Sequence, residues 1–160
     1  MGKNQLMKKV MNIFEKFPVV TARDVELIVK SKNYAHLLLH NLVKTHRVKR
    51  IMKGFYTTQE DPIVSVFCFR PAYLGLQEAL SLHNLWEQET NVVIVTVKKV
   101  RIGLRKALGS NIVVHRIKPR YFFGIKLMRY DDLYVPVSDI EKTLIDFVYF
   151  DEPLDKNIAR

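Results

Sequence analysis

The clearest set of chemistry-bearing side chains lies between residues 33 and 44, where polar residues recur with helical spacing. A helix over this range places these residues on one side: Asn33, His36, Leu37, His40, Asn41 and Lys44. A helix fits the major groove of B-DNA, where Asn41 suits adenine, imidazoles suit guanine and Leu37 suits a thymine methyl group. We therefore predict that this side reads DNA, although each residue taken singly also fits a solvent-facing or core-edge position.

A cluster of cations follows this helix directly. Arg47, Lys49, Arg50 and Lys53 precede Gly54 and the β-prone segment after it, which predicts a short hairpin. The imperfect alternation around Arg50-Ile51 indicates either a bulge or a slightly different strand boundary. Such a hairpin can lie against phosphates or enter the minor groove of DNA. The alternative is an edge hairpin whose charges prevent aggregation.

His36 and His40 also have the i, i+4 spacing of two metal ligands on one helical face. No carboxylate or cysteine completes a site beside them, and the only cysteine of the chain is Cys68. A single cysteine excludes both an internal disulfide and a cysteine-based zinc site. We therefore predict no metal and no other cofactor.

Catalytic motifs are missing from the sequence. It contains no P-loop, no dinucleotide-binding glycine motif and no hydrolase nucleophile elbow. Asp131-Asp132 and the pair Asp139/Glu141 have the chemistry to hold Mg²⁺ in a nuclease, but Asp131-Asp132 also suits a hairpin turn and Glu141 suits a helix cap. A restriction-type nuclease would need an acid-x-Lys on a strand, whereas Glu141 directly precedes Lys142 on a predicted helix. We predict no catalytic residue and no enzyme, with a metal-dependent nuclease as the remote alternative.

Three predicted helices and the hairpin position the DNA-contacting candidates. The first two helices cover about 4–16 and 22–30, with Thr21 as the N-cap of the second. A tight turn over residues 31–33 follows, and Asn33 can cap the third helix, which extends to about residue 44. This order of elements is that of a winged helix-turn-helix. The predicted interface consists of Thr21, Lys32, Asn33, Tyr34, His36, Leu37, His40, Asn41, Lys44, Arg47, Lys49, Arg50 and Lys53.

The second half of the chain predicts a small mixed α/β domain. Strands are expected at 63–69, 91–97, 112–117, 121–128 and 133–137, and helices at 71–86 and about 138–150. Ser138 and Glu141 have the spacing of a capping box for the last helix. With a boundary at Glu60-Asp61-Pro62, the sequence predicts an α+β protein. Its winged helix-turn-helix domain covers 1–60 and its mixed α/β domain covers 61–160.

The charge is distributed unevenly over the 160 residues, whose formal net charge is +10. Residues 1–60 carry 12 lysines and arginines and four acidic residues, a net charge of +8. Such asymmetry indicates an electrostatic partner for the first part, most often a nucleic acid. The sequence contains no apolar run long enough for a membrane span and no secretory signal, so we expect a cytoplasmic protein with no membrane partner.

Three segments match the motifs of a known family. Lys53-Gly54-Phe55-Tyr56 follows the predicted recognition helix, residues 73–85 follow the hairpin, and residues 135–146 read VPVSDIEKTLID. These segments resemble the AbiEi-type antitoxins of AbiE (type IV) toxin–antitoxin systems, whose element V-x-V-(A/S)-x-x-E-K-T-L-x-D is similar to the third segment. The resemblance covers about residues 5–150.

The resemblance implies a DNA-binding transcriptional regulator that represses its own operon and counteracts a cognate toxin. The implied partners are double-stranded operator DNA and a nucleotidyltransferase-like toxin protein. Members of the family usually continue beyond the Glu-Lys-Thr-Leu element with further helices, whereas this chain ends at Arg160. We therefore expect a truncated or minimal member. The alternative is an antitoxin module that acts through protein interaction with little DNA binding.

Overall fold

A computed structural model of the chain describes residues 2–154, so that residues 155–160 of the expected second domain lie outside the described residues. The described chain is a mixed α+β protein with two separate β-sheets. It divides between Cys68 and Phe69 into two compact units. Each sheet belongs to one of these units, and each unit is therefore described by itself.

The first unit contains three α-helices and a small antiparallel sheet. Its elements are α1 (Lys3–Lys16), β1 (Val20–Thr21), α2 (Ala22–Val29), α3 (Lys32–Lys44), β2 (Lys49–Met52) and β3 (Phe55–Thr57). The strand order in the sheet is β1-β3-β2, so β3 is the central strand. All three helices and the hairpin that the sequence predicts are present.

Side-chain caps fix the starts of α2 and α3. The Thr21 hydroxyl accepts the Asp24 N–H, and the Asp24 carboxylate accepts the Thr21 N–H, which confirms the predicted cap of α2. Ser31 has extended backbone angles, and its hydroxyl accepts the Tyr34 N–H. Ser31 is therefore the N-cap of α3, which begins at Lys32, so the expectation that Asn33 caps this helix is wrong.

The core of the first unit forms between the apolar stripes of its helices. It combines Val10 and Phe14 of α1 and Val25 of α2 with a stripe on α3, all of them buried. The buried α3 residues are Ala35, Leu38, Leu39 and Leu42. The spacing of these residues predicts this face, because positions i, i+3, i+4 and i+7 align along one side of a helix.

The β2–β3 hairpin turns at Lys53 and Gly54. Gly54 has φ +85°, in the left-handed region that glycine adopts without steric cost. Its carbonyl accepts the Ala22 N–H over 3.0 Å, which ties the turn to the start of α2. The register shifts between Arg50 and Met52, which agrees with the bulge expected as one of two alternatives.

The segment expected to form a strand at 63–69 is instead a 3₁₀ helix, Pro62–Cys68. The strand prediction was wrong because a continuous apolar run does not distinguish a buried strand from a buried helical turn. Residues 63–66 are all buried, so the run shows no amphipathic period. The Asp61 carboxylate accepts the Ile63 N–H over 2.9 Å and so supports the first turn.

The second unit is built on a six-stranded mixed sheet with two α-helices. Its elements are β4 (Ala72–Leu74), α4 (Leu76–Leu82), β5 (Val92–Thr96), β6 (Gly103–Ala107), β7 (Ser110–Arg116), a 3₁₀ helix (Pro119–Tyr121), β8 (Ile125–Tyr130), β9 (Leu133–Ser138) and α5 (Ile140–Tyr149). The strand order is β6-β7-β5-β4-β9-β8, in which β5–β7 and β4–β9 pair in parallel. Asp131 and Asp132 form the predicted turn between β8 and β9.

Two predictions for the second unit are wrong, one about a helix and one about a helix cap. The helix expected at 71–86 is divided into β4 and the shorter α4, with Gly75 as the N-cap between them. Gly75 packs against the sheet so closely that an added Cβ would lie 2.9 Å from Val95 Cγ2. The cap of α5 is Asp139, whose carboxylate accepts the Lys142 N–H, so the expected capping box of Ser138 and Glu141 does not form. Ser138 is the last residue of β9.

A buried ion pair lies inside this unit. The side chains of Lys142 and Asp146 are buried on α5, and the Tyr73 hydroxyl from β4 donates to Asp146 Oδ2 over 2.6 Å. The Lys142 ammonium also lies 4.6 Å from the centre of the Phe123 ring. Burial, and next the hydrogen bond to Asp146, raise the pKa of Tyr73, so its hydroxyl stays protonated and donates.

Candidate nucleic-acid interface

The side of α3 opposite its buried stripe is exposed, as its sequence predicts. His36, His40 and Asn41 are exposed, and Leu37 leaves 55% of its surface in contact with solvent. An exposed leucine among hydrogen-bonding side chains has an apolar group available for a partner. The face therefore offers amide, imidazole and methyl groups, which are the groups that read base edges in a major groove.

The end of α3 places the hairpin beside this face. The Leu42 carbonyl accepts the N–H groups of both Arg47 and Val48, at 3.0 and 3.2 Å. His46, which directly precedes Arg47, has φ +59°, so the chain reverses tightly after the helix. The first strand of the hairpin thus starts only a few residues from the last turn of α3.

The four hairpin cations are exposed, but they are not equivalent. The Lys49 ammonium lies 3.0 Å from a Glu60 carboxylate oxygen and forms an exposed ion pair. Within residues 2–154, no ion pair is formed by Arg47, Arg50 or Lys53. Lys49 must give up a partner before it contacts a phosphate, so the other three are the stronger candidates.

A concave pocket of about 390 Å³ lies between α3 and the hairpin. It is lined by His36, His40 and Val43 from α3 and by Arg50 and Tyr56 from the hairpin. Arg50 and Tyr56 are paired across β2 and β3, which places both side chains at the same position along the hairpin. The pocket therefore combines a guanidinium, a phenol and two imidazoles, all of which can donate hydrogen bonds to an anion.

Tyr56 is the polar residue of this pocket that the sequence analysis did not select. Its position depends on the register of the hairpin and on the bulge, which bring it opposite Arg50. The only sequence signal was its place within the Lys-Gly-Phe-Tyr segment, which indicates a hairpin but not which side chain turns towards α3. The pocket does not include Leu37 or Asn41, which lie exposed elsewhere on α3.

Other predicted contact residues lie on α3, in the hairpin turn and at the start of α2. Lys32, Asn33 and Lys44 are exposed at the two ends of α3, and Lys53 is exposed in the hairpin turn. Tyr34 is half-buried in the first turn of α3, and Thr21 is half-buried as the cap of α2. The Thr21 hydroxyl oxygen is already used as an acceptor within that cap.

The electrostatic character of this region comes from a long interval without acidic residues. Between Glu26 and Glu60 the chain has no aspartate or glutamate, and it carries seven lysines and arginines. This interval includes all of α3, β2 and β3. The region therefore has a positive field, which attracts a polyanion at long range.

The two histidines of α3 do not form part of a metal site in the described structure. Within residues 2–154, no group of three or more histidine, cysteine or carboxylate side chains is arranged to hold a metal ion. His36 and His40 thus have the spacing of a ligand pair without further ligands beside them. Their exposure leaves both imidazoles available for an external partner.

None of the helices formed by residues 2–154 combines the length and the apolar character that crossing a bilayer requires. In comparisons with known proteins, no family model matches the chain and no significant match to a curated protein was found.

Proposed function

We propose that the first unit is a winged helix-turn-helix that binds double-stranded DNA. In this proposal α3 enters the major groove, and the β2–β3 hairpin is the wing that contacts the backbone. One observation carries the proposal: the exposed polar face of α3 and the exposed cations of the hairpin lie in one acid-free interval, and His36, His40 and Arg50 line one pocket. If the polar side of α3 only faced solvent, it would need neither an interval free of acidic residues nor a pocket shared with the hairpin.

The two parts of the interface have different tasks. Arg47, Arg50 and Lys53 contact phosphates, which fix the position of the protein on DNA without reading its sequence. His36, Leu37 and Asn41 meet base edges, which give the sequence preference. The pocket between α3 and the hairpin receives a backbone phosphate through His40, Arg50 and Tyr56, so its donors come from both elements.

The salt dependence of binding tests the phosphate contacts. Arg47, Arg50 and Lys53 are changed together to Gln, and binding to a fluorescent duplex is measured by anisotropy at several salt concentrations. Each phosphate contact contributes about 0.9 to the slope of log K against log salt, so the slope should fall in magnitude by about 2.7. Binding to random and promoter DNA should weaken alike.

A matched triple variant on α1 is the control. Lys8, Lys9 and Lys16 are exposed cations outside the proposed interface, and their change to Gln removes the same net charge. The slope of this control should remain close to that of the unchanged protein. If both triple variants lose the same amount of slope, the hairpin has no specific phosphate contacts and the attraction comes from net charge alone.

We also propose that the protein represses its own operon and counteracts a nucleotidyltransferase-like toxin. This part of the proposal is supported by the resemblance of residues 135–146 to the AbiEi element. Co-expression with the product of a neighbouring nucleotidyltransferase-like reading frame should restore growth of cells that the toxin arrests. If the hairpin variant loses DNA binding and still restores growth, the two activities are separate; if the intact protein does not restore growth, the antitoxin proposal fails.

A further inference from the structure

A second cavity is lined only by residues of the second unit, none of which belongs to the proposed DNA interface. Its volume is about 290 Å³, and it is bounded by α4, the segment 86–91, β5 and β7. This volume is just below the range of about 300–1,000 Å³ for small-molecule sites. The cavity therefore suits a group of the size of one long side chain.

The charge of this cavity is opposite to that of the protein. Its lining contains the carboxylates of Glu89 and Glu152 and no lysine or arginine, although the chain has a formal net charge of +10. Within residues 2–154, neither carboxylate forms an ion pair. A concave surface with two carboxylates and no cation attracts a positively charged group.

Aromatic and amide groups complete the lining. Trp86 and His115 lie at the cavity together with the amides of Gln77 and Gln88. Burial lowers the pKa of His115, so its imidazole is neutral near pH 7 and does not repel a cation. A guanidinium group stacks on an aromatic face while its N–H groups bind carboxylates, which an ammonium group does less well.

The wall that carries Trp86 is held to the rest of the unit. The Thr90 hydroxyl donates to Glu78 Oε2 on α4 over 2.9 Å, and the Leu85 N–H donates to the Leu80 carbonyl over 2.8 Å. These bonds anchor both ends of the segment 85–90. The cavity is therefore formed before a ligand enters.

From this combination we infer that the cavity binds an arginine residue of a partner polypeptide, with the guanidinium between Glu89 and Glu152. The inference does not depend on DNA binding, because none of its residues belongs to the first unit. The proposed ligand is an arginine side chain within a polypeptide. Free arginine carries the same guanidinium group, but it also carries a free carboxylate, and this difference lets an experiment distinguish the two ligands.

The single tryptophan of the chain reports on this site directly. Trp86 fluorescence is followed during titration with N-acetyl-arginine amide and, separately, with the neutral N-acetyl-citrulline amide of nearly the same shape. We expect a saturable change with the arginine compound and at least about tenfold weaker binding of the citrulline compound. Calorimetry repeats both titrations, so that binding without a fluorescence change is also seen.

Variants at the cavity and beside it separate local from general charge effects. Glu89→Gln and Glu152→Gln should each weaken the arginine compound severalfold, whereas Glu87→Gln should leave its affinity unchanged. Glu87 is an exposed neighbour of Trp86 outside the lining, and its change removes the same charge. Thermal melting checks that all three variants remain folded.

Each further outcome has a defined meaning. Equal binding of the citrulline compound, an equal loss in Glu87→Gln, or no binding by either method up to about 10 mM would overturn the proposal. Free L-arginine should bind more weakly than the blocked compound, because its carboxylate is repelled by Glu89 and Glu152. Tighter binding of free L-arginine would overturn the assignment to a polypeptide.

Discussion

Lys142 and Asp146 form an ion pair inside the second unit, one helical turn apart on α5, with 2.5 Å between the ammonium nitrogen and Oδ1. The Lys142 and Asp146 side chains are 1% and 0% exposed, and Tyr73 satisfies the other carboxylate oxygen. The two ions therefore depend on each other for compensation of their charge. These residues are the lysine and the final aspartate of the segment 135–146, so that part of the motif has a structural role in the core.

Loss of one partner of this pair should destabilise the second unit strongly. Lys142→Met leaves the Asp146 carboxylate buried with only the Tyr73 hydroxyl as a partner. We expect a loss of about 3–5 kcal/mol in the free energy of unfolding, as is typical when one ion of a buried pair is removed. Urea unfolding followed by Trp86 fluorescence measures this change within the same unit.

The double variant Lys142→Met with Asp146→Leu is the control for this mechanism. It removes both charges, so it should be more stable than Lys142→Met alone, although the Tyr73 hydroxyl loses its acceptor. Asp146→Leu alone completes the comparison. If the double variant loses as much free energy of unfolding as Lys142→Met and Asp146→Leu lose together, the two ions do not compensate each other.

Acid should destabilise the second unit through His115. Burial pulls the pKa of His115 below its ordinary value of 6.5, against the opposing effects of Glu152 and Asp146. As the pH falls below 6.5, the unfolded chain binds a proton at this residue before the folded chain does. The free energy of unfolding should therefore decrease over this range. Its slope against pH should correspond to a difference of less than one bound proton between the unfolded and folded states.

His115→Gln removes this contribution and should flatten the pH dependence of urea unfolding below pH 6.5. His40→Gln is the matched control, because His40 is exposed on α3 in the first unit. Carboxylates contribute equally to the pH dependence of both variants. Identical pH profiles for His115→Gln and His40→Gln would contradict the prediction.

The elements with a strong amphipathic period could be predicted from the sequence. The stripe of α3 follows directly from Ala35, Leu38, Leu39 and Leu42, and the hairpin follows from the β-prone segments on either side of Gly54. In both cases a local rule and the tertiary packing favour the same structure. The cap of α2 is similar, because Thr21 and Asp24 are close in sequence.

Elements that depend on distant partners could not be predicted in this way. The segment Ala72–Leu74 forms a strand because it lies between β5 and β9, although its residues also fit a helix. The strand β6 has no predicted counterpart, because Arg105 and Lys106 interrupt its apolar alternation and its pairing with β7 decides the structure. The same reason explains why Tyr56 and the two cavities were not predicted.

Two leucines on α3 should respond to the same substitution in opposite ways. Leu39 is fully buried in the core of the first unit, whereas Leu37 is 55% exposed two residues earlier. Leu39→Ala should cost about 2–5 kcal/mol of stability through the loss of buried contacts and the cavity that remains. Leu37→Ala should leave the melting temperature nearly unchanged. Circular dichroism melting of both variants measures the difference, and equal losses would contradict the assigned faces of α3.

The proposed reading of bases by α3 separates sequence preference from affinity. His36→Ala and Asn41→Ala remove exposed side chains, so neither should change the fold. Each should weaken binding to operator DNA by about 1–3 kcal/mol, because a good contact to a base edge is lost. Binding to random DNA should change little, because the phosphate contacts of the hairpin remain.

Competition between operator and scrambled duplexes measures this preference for each variant, with the Arg47, Arg50 and Lys53 triple variant as the opposite case. The triple variant should lose affinity for both duplexes and keep their ratio, whereas His36→Ala and Asn41→Ala should reduce the ratio. The operator is taken from the region upstream of the protein's own gene. If both single variants keep the full preference for the operator, α3 does not read the bases. The attraction of the first unit for DNA would then rest on the positive field of its acid-free interval alone.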